Sequence, residues 1–387
     1  MAGIYIHIPF CKQACYYCNF HFSTSYALKN EMVESLIKEI EIRSEIAKQN
    51  EENELAILSS EDEIIETVYF GGGTPSLLSY QEITSILSAI KYNYKIAVNA
   101  EITLEANPDD INPAKLGEWK NAGINRLSIG IQSFIERDLQ WMNRAHNANQ
   151  AADSIALARQ SGFDNFSIDL IFGTPGLTDE EWERNIQTVI DLNVPHISCY
   201  ALTVEPKTAL QKMIQLKKKE NVNNDVQAAQ YGILMKALQR AGYEHYEISN
   251  FAKRGFRSKH NSSYWQSKKY IGIGPSAHSF NGKMRMWNKA NNIYYIKSLA
   301  QNIIPFEKEN LTETQKMNEY VMTSLRTIEG IDLNFIEKYF SLDQRKRIEN
   351  LLNQKVKREN YFIQNNRIIL TDEGKLFADA IAVEFFL

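Results

Sequence analysis

The regular alternation of short β-type runs with longer helical stretches limits the fold of this chain more than any other feature. A turn signal and then a stretch with helical periodicity follow each of six such runs: Ile4–Ile8, Thr67–Phe70, Glu101–Leu104, Leu127–Ile131, Phe166–Ile171 and His196–Leu202. In the first helical stretch, Tyr26–Lys48, the apolar residues recur on one face. β–α units in series predict parallel strands that are joined by right-handed crossovers.

Six units rather than eight favour an α/β fold with an open, partial (β/α)6 barrel, although an eight-unit barrel and an open doubly wound sheet stay as alternatives. Residues 1–242 form the barrel in this interpretation. Residues 243–300 extend it and contain the segment His260-Asn-Ser-Ser-Tyr-Trp265. Residues 301–387 form a small, mainly helical C-terminal domain. Active sites of parallel barrels lie at the carboxyl ends of the strands, so the site is expected there.

Length and composition agree with a globular chain of this kind. The 387 residues are 44% hydrophobic and 23% charged, which suits a barrel of about 250 residues with a smaller module. A net charge of −4 does not suggest nucleic-acid binding, which normally leaves a strongly basic footprint. The sequence shows no targeting segment and no apolar run of about 18 residues. The expected location is therefore the cytoplasm.

Three of the four cysteines form a compact motif directly after the first predicted strand. Cys11, Cys15 and Cys18 have C-x3-C-x2-C spacing, and thiolates are the usual ligands of iron–sulfur clusters. Three protein ligands leave one iron of a [4Fe–4S] cluster open to a small molecule with amino and carboxylate groups. Cys199 lies in an apolar strand and is expected to be a buried small hydrophobe.

Zinc is the alternative occupant of the cysteine motif. A structural zinc site has four ligands, and His7 or His21 could supply the fourth. The aromatic residues around the motif favour a redox cluster that is shielded from water; they are Tyr16, Tyr17, Phe20 and Phe22.

Polar residues recur at the ends of successive predicted strands. Glu105 ends the third, Gln132 ends the fourth and Asp169 lies within the fifth. A single buried polar residue is more often structural than ligand-binding, but each one needs a partner. Three of them in such positions favour a ligand site. The run Gly71–Pro75 after the second strand is by itself only a turn signal.

The segment from Tyr5 to Cys18, Tyr-Ile-His-Ile-Pro-Phe-Cys-Lys-Gln-Ala-Cys-Tyr-Tyr-Cys, resembles the cluster loop of radical-SAM proteins. Within them it is similar to the HemN/HemW group of oxygen-independent coproporphyrinogen oxidases and haem chaperones, and the resemblance covers nearly the whole chain. It implies a radical-SAM barrel with a [4Fe–4S] cluster on Cys11, Cys15 and Cys18. It also implies S-adenosylmethionine (SAM) on that cluster, with contacts from Tyr5, Tyr17, Gly72, Gly73, Thr74, Glu105, Gln132, Arg144, Asp169 and Ala201.

The resemblance leaves two functions, and three features of the sequence favour the haem chaperone. Phe20 stands where the oxidase motif has a fourth cysteine, and the chain begins only a few residues before the first strand. The segment from His260 to Trp265 matches the HNxxYW pattern of the chaperone group. We therefore expect a haem chaperone without coproporphyrinogen oxidase activity. The alternative is the oxidase itself, which decarboxylates its porphyrin substrate by radical chemistry.

Haem is then the third expected ligand, beside the cluster and SAM. A lone histidine is more often structural than a haem ligand, but His260 has Tyr264 and Trp265 beside it and a basic stretch before it. His278 is a second candidate. The expected partners are haem, haem-accepting proteins and an electron donor for the cluster, with no nucleic acid. A homodimer and peripheral contact with the membrane through acceptor proteins are left open.

Overall fold

A computed structural model describes residues 2–49, 53, 55–58 and 63–387. Its large sheet is built around parallel neighbours in chain order: β1 (Ala2–Ile8), β2 (Ile65–Gly72), β3 (Ile96–Ala106), β4 (Arg126–Gln132), β5 (Phe166–Phe172) and β6 (His196–Ala201). All six predicted β-type runs fall on these strands. Further strands flank β1 and β6 on their outer sides, so the sheet is open, and the predicted partial barrel is confirmed.

Helices connect the parallel strands: α1 (Lys29–Gln49), α2 (Tyr80–Asn93), α3 (Pro113–Ala122), α4 (Glu136–Met142), α5 (Ala148–Gln160), α6 (Asp179–Asp191), α7 (Ala209–Gln215) and α8 (Asn224–Arg240). The short helices α4 and α7 were not predicted. Alternate residues of β1 show why the sheet has two different faces. Ile4, Ile6 and Ile8 share a hydrophobic core with α1, whereas Tyr5 and His7 point to the other side.

Local capping places several helices close behind their strands. Ser79 and Thr178 each accept a hydrogen bond from the backbone N–H of a glutamate three residues later, and that glutamate bonds back in a capping box. Gly123 ends α3 in the left-handed region at φ 105°, where glycine has no steric penalty. The loops that lead from each strand to the next helix lie at the carboxyl edge of the sheet, where the site is expected.

The region after α8 extends the sheet on both sides. Strands β7 (Glu244–Glu247) and β8 (Asn250–Ala252) continue it beyond β6. Strands β9 (Lys269–Ile273), β10 (His278–Phe280), β11 (Met284–Asn288) and β12 (Phe306–Asn310) continue it beyond β1. Helices α9 (Lys259–Trp265) and α10 (Asn292–Ala300) lie between them in the chain. β12 belongs to the predicted C-terminal domain by sequence, yet it pairs with β11 in the large sheet.

The C-terminal region has its own hydrophobic core and is mainly helical, as predicted. It contains α11 (Glu313–Leu325), β13 (Ile331–Asp332), α12 (Leu333–Tyr339), α13 (Leu342–Lys355), β14 (Tyr361–Gln364), β15 (Arg367–Leu370), α14 (Asp372–Lys375) and α15 (Ala378–Glu384). Short 3-10 turns lie at Pro75–Leu77, Pro108–Asp110 and Arg358–Asn360. Within the described ranges, no helix is both long and apolar enough to cross a membrane.

Two positions on β3 differ in burial and therefore predict very different effects of shortening a side chain. Leu104 is fully buried, so Leu104→Ala is expected to lower the free energy of unfolding by about 2–5 kcal/mol. Val98 on the same strand is fully exposed, so Val98→Ala is expected to change it by less than about 0.5 kcal/mol. Urea unfolding followed by tryptophan fluorescence measures both, and similar losses would contradict the burial pattern.

Candidate functional site

A cavity of about 460 Å³ opens at the carboxyl ends of the parallel strands. Most of the residues that the sequence predicted for the site line it: Cys11, Cys15, Tyr17, Cys18, Gly72, Gly73, Thr74, Glu105, Gln132, Arg144, Asp169 and Ala201. Tyr5 and His260 were also predicted, but they are not part of this lining. The tertiary fold therefore brings together residues that are up to 190 positions apart in the chain.

The three cysteines lie on a loop that closes on itself after β1. The Cys11 N–H donates to the Ser23 carbonyl at 3.0 Å, and the Ser23 N–H donates back to the Pro9 carbonyl at 2.9 Å. Within the loop, the Cys18 N–H donates to the Cys15 carbonyl at 3.2 Å. All three cysteines are free and partly exposed. The loop thus presents three thiols to one cavity, whereas Cys199 is buried, as predicted.

Hydrogen bonds join the turn after α4 to the cysteine loop. The Gln13 side chain donates to the Asn143 carbonyl at 3.0 Å, and the Asn143 side chain donates to the Ala14 carbonyl at 2.8 Å. The Tyr16 N–H adds a bond to the Met142 carbonyl at 3.2 Å. Asn143 adopts a left-handed φ of 59°, which asparagine tolerates better than most residues. These reciprocal bonds set the position of the loop relative to β4.

The glycine run at the end of β2 lets the cysteine loop pack closely against that strand end. The Gly73 N–H donates to the Ile8 carbonyl at 2.9 Å. A Cβ on Gly73 would come within 2.5 Å of the Phe10 carbonyl oxygen, and a Cβ on Gly72 would come equally close to the His7 ring. Gly72 also has a φ of 109°. No larger residue fits without displacement of the loop, so the run is more than a turn signal.

Burial raises the pKa of the Cys11 and Cys18 thiols. The pKa of Cys11 rises to about 11, against a hydrogen bond to Thr74 that lowers it. The Arg144 guanidinium lies on the third thiol, with Nη1 at 3.2 Å from Cys15 Sγ. A bound metal would favour the thiolates, so the loop suits cysteine ligands of a cationic cluster.

The hydrogen bonds of His7 and His21 bear on the zinc alternative. His7 Nε2 bonds the His21 carbonyl at 2.8 Å, and His21 Nε2 bonds Asn292 Oδ1 at 2.7 Å. These bonds occupy a ring nitrogen of each histidine. In the described part of the chain, no three Cys, His, Asp or Glu side chains lie close enough to chelate a single metal ion. A cubane cluster has a different requirement, because separate irons take the separate thiolates, and the three thiols fit it.

Arg144 ties the cysteine loop to the neighbouring strands. Its Nη2 donates to Asn107 Oδ1 at 2.9 Å and to the Gly130 carbonyl at 2.8 Å. Its Nε is buried and has no partner within the described residues. A two-bond clamp on a ligand carboxylate would have to replace one of the Nη2 bonds. The contact of Arg144 with SAM stays a prediction.

Two carboxyl groups share the wall of the cavity opposite the cysteines. Tyr69 donates to Glu105 Oε1 at 2.8 Å. Burial, together with the negative charge of Asp169, raises the pKa of Glu105 to about 7. Burial likewise raises the pKa of Asp169 to about 6, although a bond from Ser198 lowers it. Two carboxyl groups that are costly to ionise together suit a ligand that brings hydroxyl or cationic groups.

Gln132 reaches the cavity through an unusual backbone. It is 8% exposed and has a φ of 67°, in the left-handed region. The pairing of β4 with β5 shifts register just before it. Such conformations cost free energy and are concentrated at functional sites. The strand end that the sequence singled out is thus distorted where it meets the cavity.

His260 lies beneath the cavity in a buried aromatic stack. It is 1% exposed, and its ring stacks on Tyr69 at 5.0 Å between centroids. Nδ1 bonds Thr67 Oγ1 at 2.8 Å, and Nε2 bonds Tyr264 at 2.9 Å. Burial lowers its pKa to about 3. Tyr5 belongs to the same stack. A role of His260 as haem ligand stays a prediction, and it requires that one of the two ring bonds be replaced.

Sequence reasoning missed several residues of the cavity. Asn107 lines it and joins Thr74 at 3.4 Å to Arg144. Tyr69 and Ser198 also line it, and Tyr69 donates to the Glu105 carboxyl group. Asn107 could have been found as the polar residue two positions after Glu105. Tyr69 and Ser198 gave no signal, because each lies in the middle of an ordinary β-type run.

Comparisons with known proteins agree with this fold. The Radical SAM superfamily model matches residues 5–189, and the HemN C-terminal domain model matches residues 311–377. The chain is 34% identical to a protein named Heme chaperone HemW from Bacillus subtilis, over 98% of both chains. It is 32% identical to one of the same name from Haemophilus influenzae, over 100% of this chain and 97% of that one.

A solved structure shares the fold. Coproporphyrinogen III oxidase (HemN) from Escherichia coli, a radical SAM enzyme, superposes with a TM-score of 0.84. The match covers 100% of this chain and 90% of the other, at 22% identity. The two proteins therefore have the same architecture from the first strand to the C-terminal region.

The raised pKa of Glu105 predicts a dependence of stability on pH when SAM is absent. Between its ordinary pKa of 4.5 and about 7, the folded state keeps a proton that the unfolded state has released. Stability therefore falls as pH rises through this range. Glu105→Gln should be more stable than the wild type at pH 8, on the order of 1–3 kcal/mol, and similar at pH 4.

Urea unfolding at the two pH values measures this effect of Glu105→Gln. Asp169 has a raised pKa of its own, so a smaller slope is expected to remain in the variant. Equal stabilities of variant and wild type at pH 8 would contradict the raised pKa.

The close approach at Gly73 predicts that a single methyl group disturbs the cysteine loop. In Gly73→Ala the new Cβ would overlap the Phe10 carbonyl, so iron retention after reconstitution should fall well below that of the wild type. Gly117→Ala is the matched control, because a Cβ there meets nothing within 4 Å. Iron and sulfide analysis compares them, and full iron content in Gly73→Ala would contradict the packing argument.

Proposed function

Because the chain belongs to the HemW family of radical-SAM proteins, we propose that it is a haem chaperone. It binds haem and delivers it to haem-dependent proteins, and it carries a SAM-bound [4Fe–4S] cluster. The observation that carries this proposal is the full-length similarity, at 32–34% identity, to relatives named heme chaperones.

Cys11, Cys15 and Cys18 would hold the cluster through their thiolates. A reduced cluster of this kind supplies one electron to the SAM sulfonium. Two backbone bonds of Ser23 close the loop that carries the thiols, and Arg144 adds a positive charge beside Cys15. The chain's part is to hold the three thiolates on one side of the cavity.

SAM would share the cavity with the cluster, and the volume of the whole cavity, about 460 Å³, lies in the usual range for small-molecule sites. Gly72, Gly73 and Thr74 would receive its methionine end, as the family resemblance implies. Glu105 and Asp169 face the cavity as acceptors for hydroxyl or ammonium groups. Binding of cationic SAM would favour the ionised carboxylates, which are costly without a ligand.

The oxidase alternative has less support. Phe20 stands in place of the fourth cysteine, and its side chain is 68% exposed on the rim of the cavity. The solved oxidase is similar in fold, but only 22% identical in sequence. We further propose that haem-accepting proteins and an electron donor are partners, that the protein works in the cytoplasm, and that it reaches the membrane peripherally through acceptors.

One experiment separates the two functions. The full-length chain, with its cluster reconstituted without oxygen, should bind added hemin and should form no protoporphyrinogen from coproporphyrinogen III with SAM and a reductant. Absorption spectroscopy measures the first reaction, and porphyrin chromatography measures the second. Turnover of coproporphyrinogen III would restore the oxidase interpretation.

The cysteine variants provide the controls. Cys18→Ala should lose most of the cluster iron, because it removes one of three ligands. Cys199→Ala should retain it, because Cys199 is buried away from the loop. Stoichiometric zinc in place of iron in the wild-type protein would contradict the radical-SAM site.

A further inference from the structure

The histidines of the chain differ in whether haem iron could reach them. All seven lie among the described residues. Six have at least one ring nitrogen in a hydrogen bond within the chain and are buried or partly buried: His7, His21, His146, His196, His245 and His260. The side chain of His278 is exposed, and neither of its ring nitrogens has a hydrogen-bond partner among the described residues.

His278 lies at the same edge of the sheet as the cysteine loop. It begins β10, directly after the turn that follows β9, and β9 runs parallel to β1. Within that turn, a Cβ on Gly274 would lie 2.7 Å from the His7 carbonyl, so the turn packs against the end of β1. The exposed imidazole is therefore on the carboxyl side of the sheet, where β1 leads into Cys11.

A tryptophan forms a flat surface beside this imidazole. His278 and Trp287 are direct partners in the antiparallel pairing of β10 with β11. Their rings stack with centroids 6.0 Å apart and an interplanar angle of 30°. Trp287 Nε1 donates to Glu307 Oε2 at 2.9 Å, which fixes the indole against β12. The indole therefore holds the imidazole in a fixed orientation on the surface of the sheet.

The charges around His278 favour its neutral, ligand-competent form. Partial burial and the nearby Arg285 lower its pKa, although Glu309 raises it. Arg285 also pairs with Glu309 and Glu319, and Lys289 pairs with Glu307. Arg285 and Lys289 are thus cations that can pair with a haem propionate in place of a surface carboxylate. A neutral imidazole has the lone pair that iron requires.

We propose that His278 is the axial ligand of the haem iron and that Trp287 holds its imidazole in place. This inference rests on the proposed haem-chaperone function and names the site at which haem is held. An exposed ligand at a sheet edge leaves the opposite face of the iron open. An acceptor protein can then supply its own ligand there before the chaperone releases the haem.

The test uses the full-length chain with its cluster reconstituted and hemin as the probe. In His278→Ala, the absorption and electron paramagnetic resonance signals of histidine-ligated haem should disappear. The affinity for hemin should fall about tenfold or more. Added imidazole should restore the histidine-type spectrum. The variant is expected to fold normally, because the side chain is exposed and makes no hydrogen bond.

Two further variants make the outcome decisive. Trp287→Leu should weaken hemin binding but keep the histidine-ligated spectrum, since it removes the ring that positions the imidazole and not the ligand itself. His260→Gln should keep the spectrum, with circular dichroism as a check of its folding. An unchanged spectrum in His278→Ala, or a loss confined to folded His260→Gln, would overturn the assignment. A wild-type protein that binds no hemin would instead refute the haem-chaperone function itself.

Discussion

The parallel pairing of β1 with β2 is the contact on which the whole candidate site depends. It brings the carboxyl ends of the two strands together, so that the glycine run after β2 lies against the start of the cysteine loop. The hydrogen bond from the Gly73 N–H to the Ile8 carbonyl is the direct link. Because side chains at Gly72 and Gly73 would collide with β1 and the loop, the absence of Cβ atoms is what allows the thiols to face the cavity.

Several residues that line the cavity lower the stability of the folded chain. Glu105 and Asp169 are carboxyl groups whose pKa values are raised by burial, and Gln132 has a left-handed backbone. These features lower the stability of the chain without its ligand, and a cationic ligand would relieve the two carboxyl groups. The continuous apolar core that joins the strands to α1 and the helices after it stabilises the fold and offsets this loss of stability.

Much of the architecture could be predicted because the signals are local. The six parallel strands, the loop with Cys11, Cys15 and Cys18 and some of the cavity lining follow from periodicity, spacing and family resemblance. Other features depend on which segments meet in space. β12 carried no signal that it would join the large sheet, because an exposed polar strand is recognised only by its partner. Asn107 gave no sign that it would link Arg144 to Thr74.

The histidines show most clearly which properties the local sequence determines and which depend on the tertiary structure. The sequence determined that a cysteine motif follows a strand, since three ligands within eight residues need only a local loop. It also singled out His260 through its aromatic and basic neighbours. Only the fold decided that this ring is buried against Thr67, 193 residues away in the chain, whereas His278 is exposed beside Trp287. Exposure and free ring nitrogens depend on long-range packing, and no spacing along the chain encodes them.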